Sequence, residues 1–121
     1  MRAPDTLKKH TVSTHPADRH VVVTLAGEVL ADSRRAIALE ETGHRTRYYL
    51  PREDVRMELL TPSGTTSHCP FKGDATYFSA AGAKDAFWVY EAPSEEDALP
   101  VAGLLAPWPG RVEVRVDGEP A

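Results

Sequence analysis

The 121-residue sequence predicts a mostly β domain with one or two short helices, and three stretches carry that reading. His20-Val21-Val22-Val23-Thr24-Leu25 is rich in β-branched residues; an Ala26-Gly27-Glu28 turn and a second extended run, Val29-Leu30-Ala31, complete a hairpin. Ala86-Phe87-Trp88-Val89-Tyr90 is the most aromatic stretch and reads as a core strand. Arg111-Val112-Glu113-Val114-Arg115-Val116 alternates strictly between charged and apolar residues, as a strand with one wet face does.

Residues 1–19 lack periodicity and read as a flexible N-terminal arm, with order beginning near His20. After the hairpin, Asp32-Ser33-Arg34-Arg35 redirects the chain, and residues 36–41 fit either a third strand or a short helix. Residues 45–50 are extended and carry Tyr48 and Tyr49 on opposite faces. Pro51 followed by Arg52-Glu53-Asp54 suits a single helical turn, with proline at the first helical position and acidic residues at its positive end. Thr61-Pro62-Ser63-Gly64 reads as a loop, and residues 65–69 as an extended approach to a Cys69-Pro70-Phe71-Lys72-Gly73 corner, which residues 74–79 leave as a strand. Ser94 and Asp97 sit where a helix cap and its acidic partner belong, and Pro100 and Gly103 interrupt the short helix that follows. The predicted boundaries are thus an arm at 1–19, a single β domain at 20–117 and a short tail at 118–121.

Composition narrows the function classes. A chain of this length suits one hydrophobic core and one site. The apolar share of 41% and charged share of 26% are those of an ordinary globular domain, and no apolar run has the length needed to cross a bilayer. The net charge of −4 argues against a general nucleic-acid binder, which neutralises phosphates with surplus Lys and Arg. One cysteine makes no internal disulfide and no multi-cysteine zinc cage; with no apolar leader in residues 1–20, the expectation is a cytoplasmic protein. The histidines follow no metal-ligand spacing, so neither metal nor cofactor is expected.

Four blocks, taken in order, resemble a known family: Ala31-Asp32-Ser33-Arg34-Arg35-Ala36, Tyr48-Tyr49-Leu50-Pro51-Arg52-Glu53-Asp54-Val55, Cys69-Pro70-Phe71-Lys72-Gly73-Asp74-Ala75-Thr76-Tyr77, and Trp88 with Tyr90 and Pro93. Residues 20–116 resemble the family known as domain of unknown function 427. The resemblance implies a compact, mostly antiparallel β domain of tent-like shape and no assigned reaction. The family is sometimes labelled nucleotidyltransferase-like, but this chain lacks a Gly-Ser element followed by an Asp-x-Asp pair.

Cys69 and Lys72 are the residues that would carry chemistry. A thiolate is the reactive form of cysteine and a nearby cation favours it; the alternative is that Cys69 is a small buried hydrophobe beside a turn. His68 points away from Cys69 if the approach is extended, so His44, arriving from another loop, is the better partner base. Arg34, Glu41, Tyr48, Asp54, Tyr77 and Trp88 come from separate elements and would converge as ligand-binding residues if the sheet curves: an anion clamp, carboxylates, phenols and an aromatic wall. The leading expectation is a domain that binds or transforms a small anionic metabolite in one pocket. The alternative is a non-catalytic module in which the Cys-Pro-Phe-Lys-Gly turn is purely structural. A third reading is a homodimer pairing exposed strand edges such as residues 111–116.

Overall fold

The computed structural model describes residues 10–121 of the chain. Among these, eleven strands form three antiparallel sheets. The first contains β1 (Val12–Pro16), β4 (Ile37–Glu41) and β5 (Arg47–Tyr49), in the order β1-β4-β5. The second contains β2 (Val21–Leu25), β3 (Glu28–Ser33), β10 (Glu113–Val116) and β11 (Glu119–Pro120), in the order β11-β10-β2-β3. The third contains β6 (Thr61–Cys69), β7 (Gly73–Ala80), β8 (Ala83–Val89) and β9 (Leu105–Pro107), in sequence order. The helical content of the described residues is three 3-10 turns, at Arg52–Asp54, Met57–Leu59 and Glu96–Val101. No helix among them is long and apolar enough to cross a membrane.

The mostly β reading therefore holds, and four local expectations change. Residues 1–9 of the expected arm lie outside the described residues, while Val12–Pro16 is a strand, pairing along its whole length with β4. Thr61-Pro62-Ser63-Gly64 belongs to β6 and not to a loop; it sits at a register shift against β7, the kind of bulge that admits Pro and Gly in a strand. The last 3-10 turn has Glu95 at its cap and no side-chain cap bond. Ser94 instead donates its backbone N–H to the Lys72 carbonyl at 3.0 Å. Finally, β10 is not an edge strand: β2 pairs on one side, and on the other β11 covers Arg115 and Val116.

The first and third sheets are stitched into one surface. Leu50 and Leu105 exchange both backbone hydrogen bonds, at 2.7 and 2.9 Å, so β5 runs on beside β9 and the strand order becomes β1-β4-β5-β9-β8-β7-β6. Side chains alternate across this surface. Leu50, Phe87 and Leu105 project to one face, where they meet Val21, Val23, Leu30 and Val114 of the second sheet in the main core. Their neighbours Tyr49, Trp88 and Ala106 project to the other face, around a second, smaller apolar cluster. The 3-10 turn Glu96–Val101 packs on β1 and β4 and brings Val101 into that cluster.

Gly73 opens β7 at φ +119, a conformation side chains rarely adopt, and a Cβ there would stand 2.9 Å from the Ser94 nitrogen. Glycine is required here both for its backbone angle and for the close approach of the 93–94 segment. Gly27, in the β2–β3 hairpin turn, has φ +83 but open space around it. In urea unfolding, Gly27→Ala should cost about 1 kcal/mol, the strain of a left-handed alanine alone. Gly73→Ala should cost at least about 3 kcal/mol, because a backbone clash adds to strain. Equal costs would remove the close-approach account.

Candidate functional site

The second face of the stitched surface is built from pairs of residues two apart. On β4 these are Leu39 and Glu41, on β5 Arg47 and Tyr49, and on β7 Ala75 and Tyr77. Trp88 with Tyr90, and Ala106 with Trp108, continue the pattern along β8 and β9 and one residue past each end. One member of each pair (Leu39, Tyr49, Ala75, Tyr90, Ala106) is buried in the small cluster. The other stands above it. Together with Cys69, Lys72 and His44 these side chains line a cavity of about 240 Å³.

Lys72 and Glu41 close this hollow. The corner after β6 brings the Lys72 ammonium against the Glu41 carboxylate at the end of β4, with side chains 10% and 8% exposed. The second carboxylate oxygen accepts from His10 Nε2 at 2.8 Å and lies 3.9 Å from His44 Nε2. Burial pushes the Glu41 pKa up, but the Lys72 hydrogen bond, that of His10 and the charges of Lys72 and His44 outweigh it, so the group sits below the ordinary glutamate value. His10 also stacks on Phe71, with ring centroids 3.8 Å apart. Phe71 itself is exposed.

The aromatic wall has its own polar wiring. Trp88 donates its indole N–H to the Tyr49 hydroxyl at 3.0 Å, with the two rings edge to face at 6.1 Å. Trp108 meets Trp88 edge-on at 5.6 Å and Tyr77 at a tilt at 6.2 Å. The Tyr77 hydroxyl is bonded to Ser67 Oγ at 2.8 Å. Burial holds the phenols of Tyr49 and Tyr90 far above the usual tyrosine pKa, so both are neutral at physiological pH. Arg47 lies with its guanidinium carbon 5.6 Å from the Trp88 ring centre, and among the described residues no carboxylate pairs with it.

Of the residues singled out from sequence, Glu41, Cys69, Lys72, Tyr77 and Trp88 line this cavity. Cys69 is part-buried and free, packed beside the small cluster. His68 lies on the outer face, as the extended approach predicts, and bonds Asp74 at 2.7 Å; His44 lines the same hollow as Cys69. Three residues do not join them. Arg34 is exposed beside His20, its Nη2 3.5 Å from Nδ1. Tyr48 points to the opposite face of β5 from Tyr49, toward Arg19, Arg45 and Thr46. Asp54 accepts two bonds from Arg35, at 3.0 and 3.3 Å, and one from Ser33 at 2.8 Å. The Arg35 bond, chiefly, holds its pKa below the usual aspartate value against the opposing effect of burial. The Ser33-Arg34-Arg35 block thus clasps the Arg52–Asp54 turn to the end of β3.

The lining residues missed from sequence are Arg47, Tyr49, Tyr90 and Trp108. A signal existed for the first two, since Arg47 and Tyr49 share a face at the two-residue period, whereas choosing that face over the one holding Tyr48 required knowing which side the second sheet covers. Two larger hollows, of about 540 and 620 Å³, are open grooves at the C-terminal end of the second sheet. In the first of these Thr24 bonds Glu113, and in the second Arg19 pairs with Asp117. Among the described residues no three His, Cys, Asp or Glu side chains gather as metal ligands would.

The lowered Glu41 pKa fixes a pH dependence. A carboxylate whose folded pKa lies below its unfolded value of about 4.3 adds stability that is fully present above that value and is lost as pH falls through the folded one. Glu41→Gln should therefore cost about 3 kcal/mol at pH 7 by leaving the Lys72 ammonium buried and unpaired. The wild-type and variant urea curves should converge as pH falls through the folded value. Glu41→Gln combined with Lys72→Met should regain most of the loss, and a double variant no better than the single one would show that the pair is not a closed unit.

Comparison with curated proteins gives no match. The family model described as domain of unknown function (DUF427) matches residues 13–118, a span that takes in nearly all of β1 and every strand that lines the cavity. With that match over most of its length, the chain belongs to the DUF427 family.

Proposed function

We propose that this protein is a small-molecule-binding domain whose 240 Å³ hollow accepts a small anionic metabolite. The observation that carries this reading is Arg47, a cation that lines the hollow with no carboxylate partner among the described residues. Lys72 and Glu41 cancel one another, so the Arg47 charge is left over and sets the sign of the guest. Guanidinium is suited to the task, since its planar fork matches a carboxylate in bidentate fashion. The volume lies just under the range of about 300–1,000 Å³ that holds drug-sized ligands, which favours a metabolite of modest size. The single free thiol favours a reducing, cytoplasmic setting.

Two versions of this function differ in what Cys69 does. In one, its thiol reacts with the bound molecule. In the other, the domain binds without chemistry and the Cys-Pro-Phe-Lys-Gly turn only builds the wall. The second is favoured by how the turn is committed: the Lys72 amine is held by Glu41, the Lys72 carbonyl accepts from Ser94, and Gly73 abuts the 93–94 backbone.

Calorimetric titration with small monocarboxylates and dicarboxylates should give saturable binding that weakens with salt and falls at least tenfold in Arg47→Gln. Binding indifferent to that substitution, or none with any acid tested, would overturn the anion reading. Cys69→Ser should leave both fold and binding intact if the turn is structural, whereas rapid modification of Cys69 by iodoacetamide, suppressed by a bound acid, would favour the reactive version.

A further inference from the structure

Resting on the anion reading of this cavity, we infer that its guest is a flat aromatic carboxylate, a ring acid no larger than a substituted benzoate. The first argument is the balance of donors and acceptors. Tyr49 accepts the Trp88 indole N–H, but its own hydroxyl proton has no acceptor among the described residues. Tyr90 is 6% exposed and lines the hollow, and its hydroxyl makes no hydrogen bond to any described residue. Among the described residues no fully buried side-chain oxygen lacks a partner, so the Tyr90 hydroxyl must border open space. The cavity supplies that space. Arg47 adds further donors and no acceptor. Three groups thus have a proton to give toward the hollow, and an ionised carboxylate, which only accepts, can take up all of them.

The second argument is the shape of the wall. Trp88, Trp108 and Tyr77 meet at angles of 80° and 36°, so none of them stacks flat on another and their faces are not used up among themselves. The outer side of the wall is pinned, because Arg111 sits 3.6 Å over the Trp108 ring. Rigid, tilted aromatic surfaces make edge and face contacts with a flat ring that a puckered ring of equal size makes poorly. Arg47 lies over the Trp88 ring, so a guest ring set against the aromatic wall would have its carboxylate close to the guanidinium. The phenolic donors then reach either the same carboxylate or an oxygen elsewhere on the ring.

Calorimetry with four probes of matched size tests the assignment: benzoate, 4-hydroxybenzoate, cyclohexanecarboxylate and benzyl alcohol, with inorganic phosphate as an anion lacking a ring. Benzoate or its hydroxylated form should bind at least tenfold tighter than cyclohexanecarboxylate and than benzyl alcohol. Arg47→Gln should erase the advantage over benzyl alcohol, and Tyr90→Phe should weaken the aromatic acids at least fivefold with its urea midpoint near wild type. If cyclohexanecarboxylate or phosphate binds as tightly as benzoate in an Arg47-dependent way, the ring assignment fails while the anion pocket stands. Benzoate bound equally well by Arg47→Gln, or no probe bound at all, would sink both.

Discussion

The reciprocal backbone bond between Leu50 and Leu105 is the contact on which the rest of the molecule depends. Without it β5 ends one sheet and β9 ends another; with it the two become neighbours in a single curved surface. That surface has two faces with different tasks. One carries Leu50, Phe87 and Leu105 into the main core, where each is fully buried, and such side chains contribute about 1.5–3 kcal/mol apiece. The reverse face, with no second sheet to cover it, is left with Tyr49, Trp88 and Trp108 around a hollow. The strand pleat therefore ties stability and recognition to adjacent residues of the same strands.

The Lys72–Glu41 pair does on the other side what the leucine bridge does in the middle. It joins the end of β4 to the corner between β6 and β7, strands far apart in the sheet order, and so holds the surface curled. A buried pair of this kind is weak evidence of stability in itself, because taking two charges from water costs nearly what their attraction returns. Its value is geometric. Hydrophobic replacements would fill the same volume without fixing the distance between two strands, and the hydrogen bond from His10 adds a third point to the clasp.

Much of the fold was legible because its strongest signals are local. The β2–β3 hairpin, the aromatic β8 and the alternating β10 each declare themselves within a short contiguous stretch, and the structure forms all three. β1 was not legible, since only Val12 of its five residues is buried and its order comes from pairing with β4, a partner 25 residues distant in register. The site was readable in part for the same reason. Cys69, Lys72, Tyr77 and Trp88 belong to neighbouring strands of one meander, and their proximity follows from short connections. Choosing Arg47 over Arg34, or Tyr49 over Tyr48, depends on the Leu50–Leu105 bridge, which links segments 55 residues apart and leaves no trace in either one alone.

The chain has two tryptophans, and both stand in the wall of the same hollow. All of its indole emission therefore arises at one place. A guest entering there would change the polarity and the quenching around both fluorophores at once, with no silent background from elsewhere in the fold. The domain carries its own optical reporter, and its occupancy can be followed in pure solution without any label.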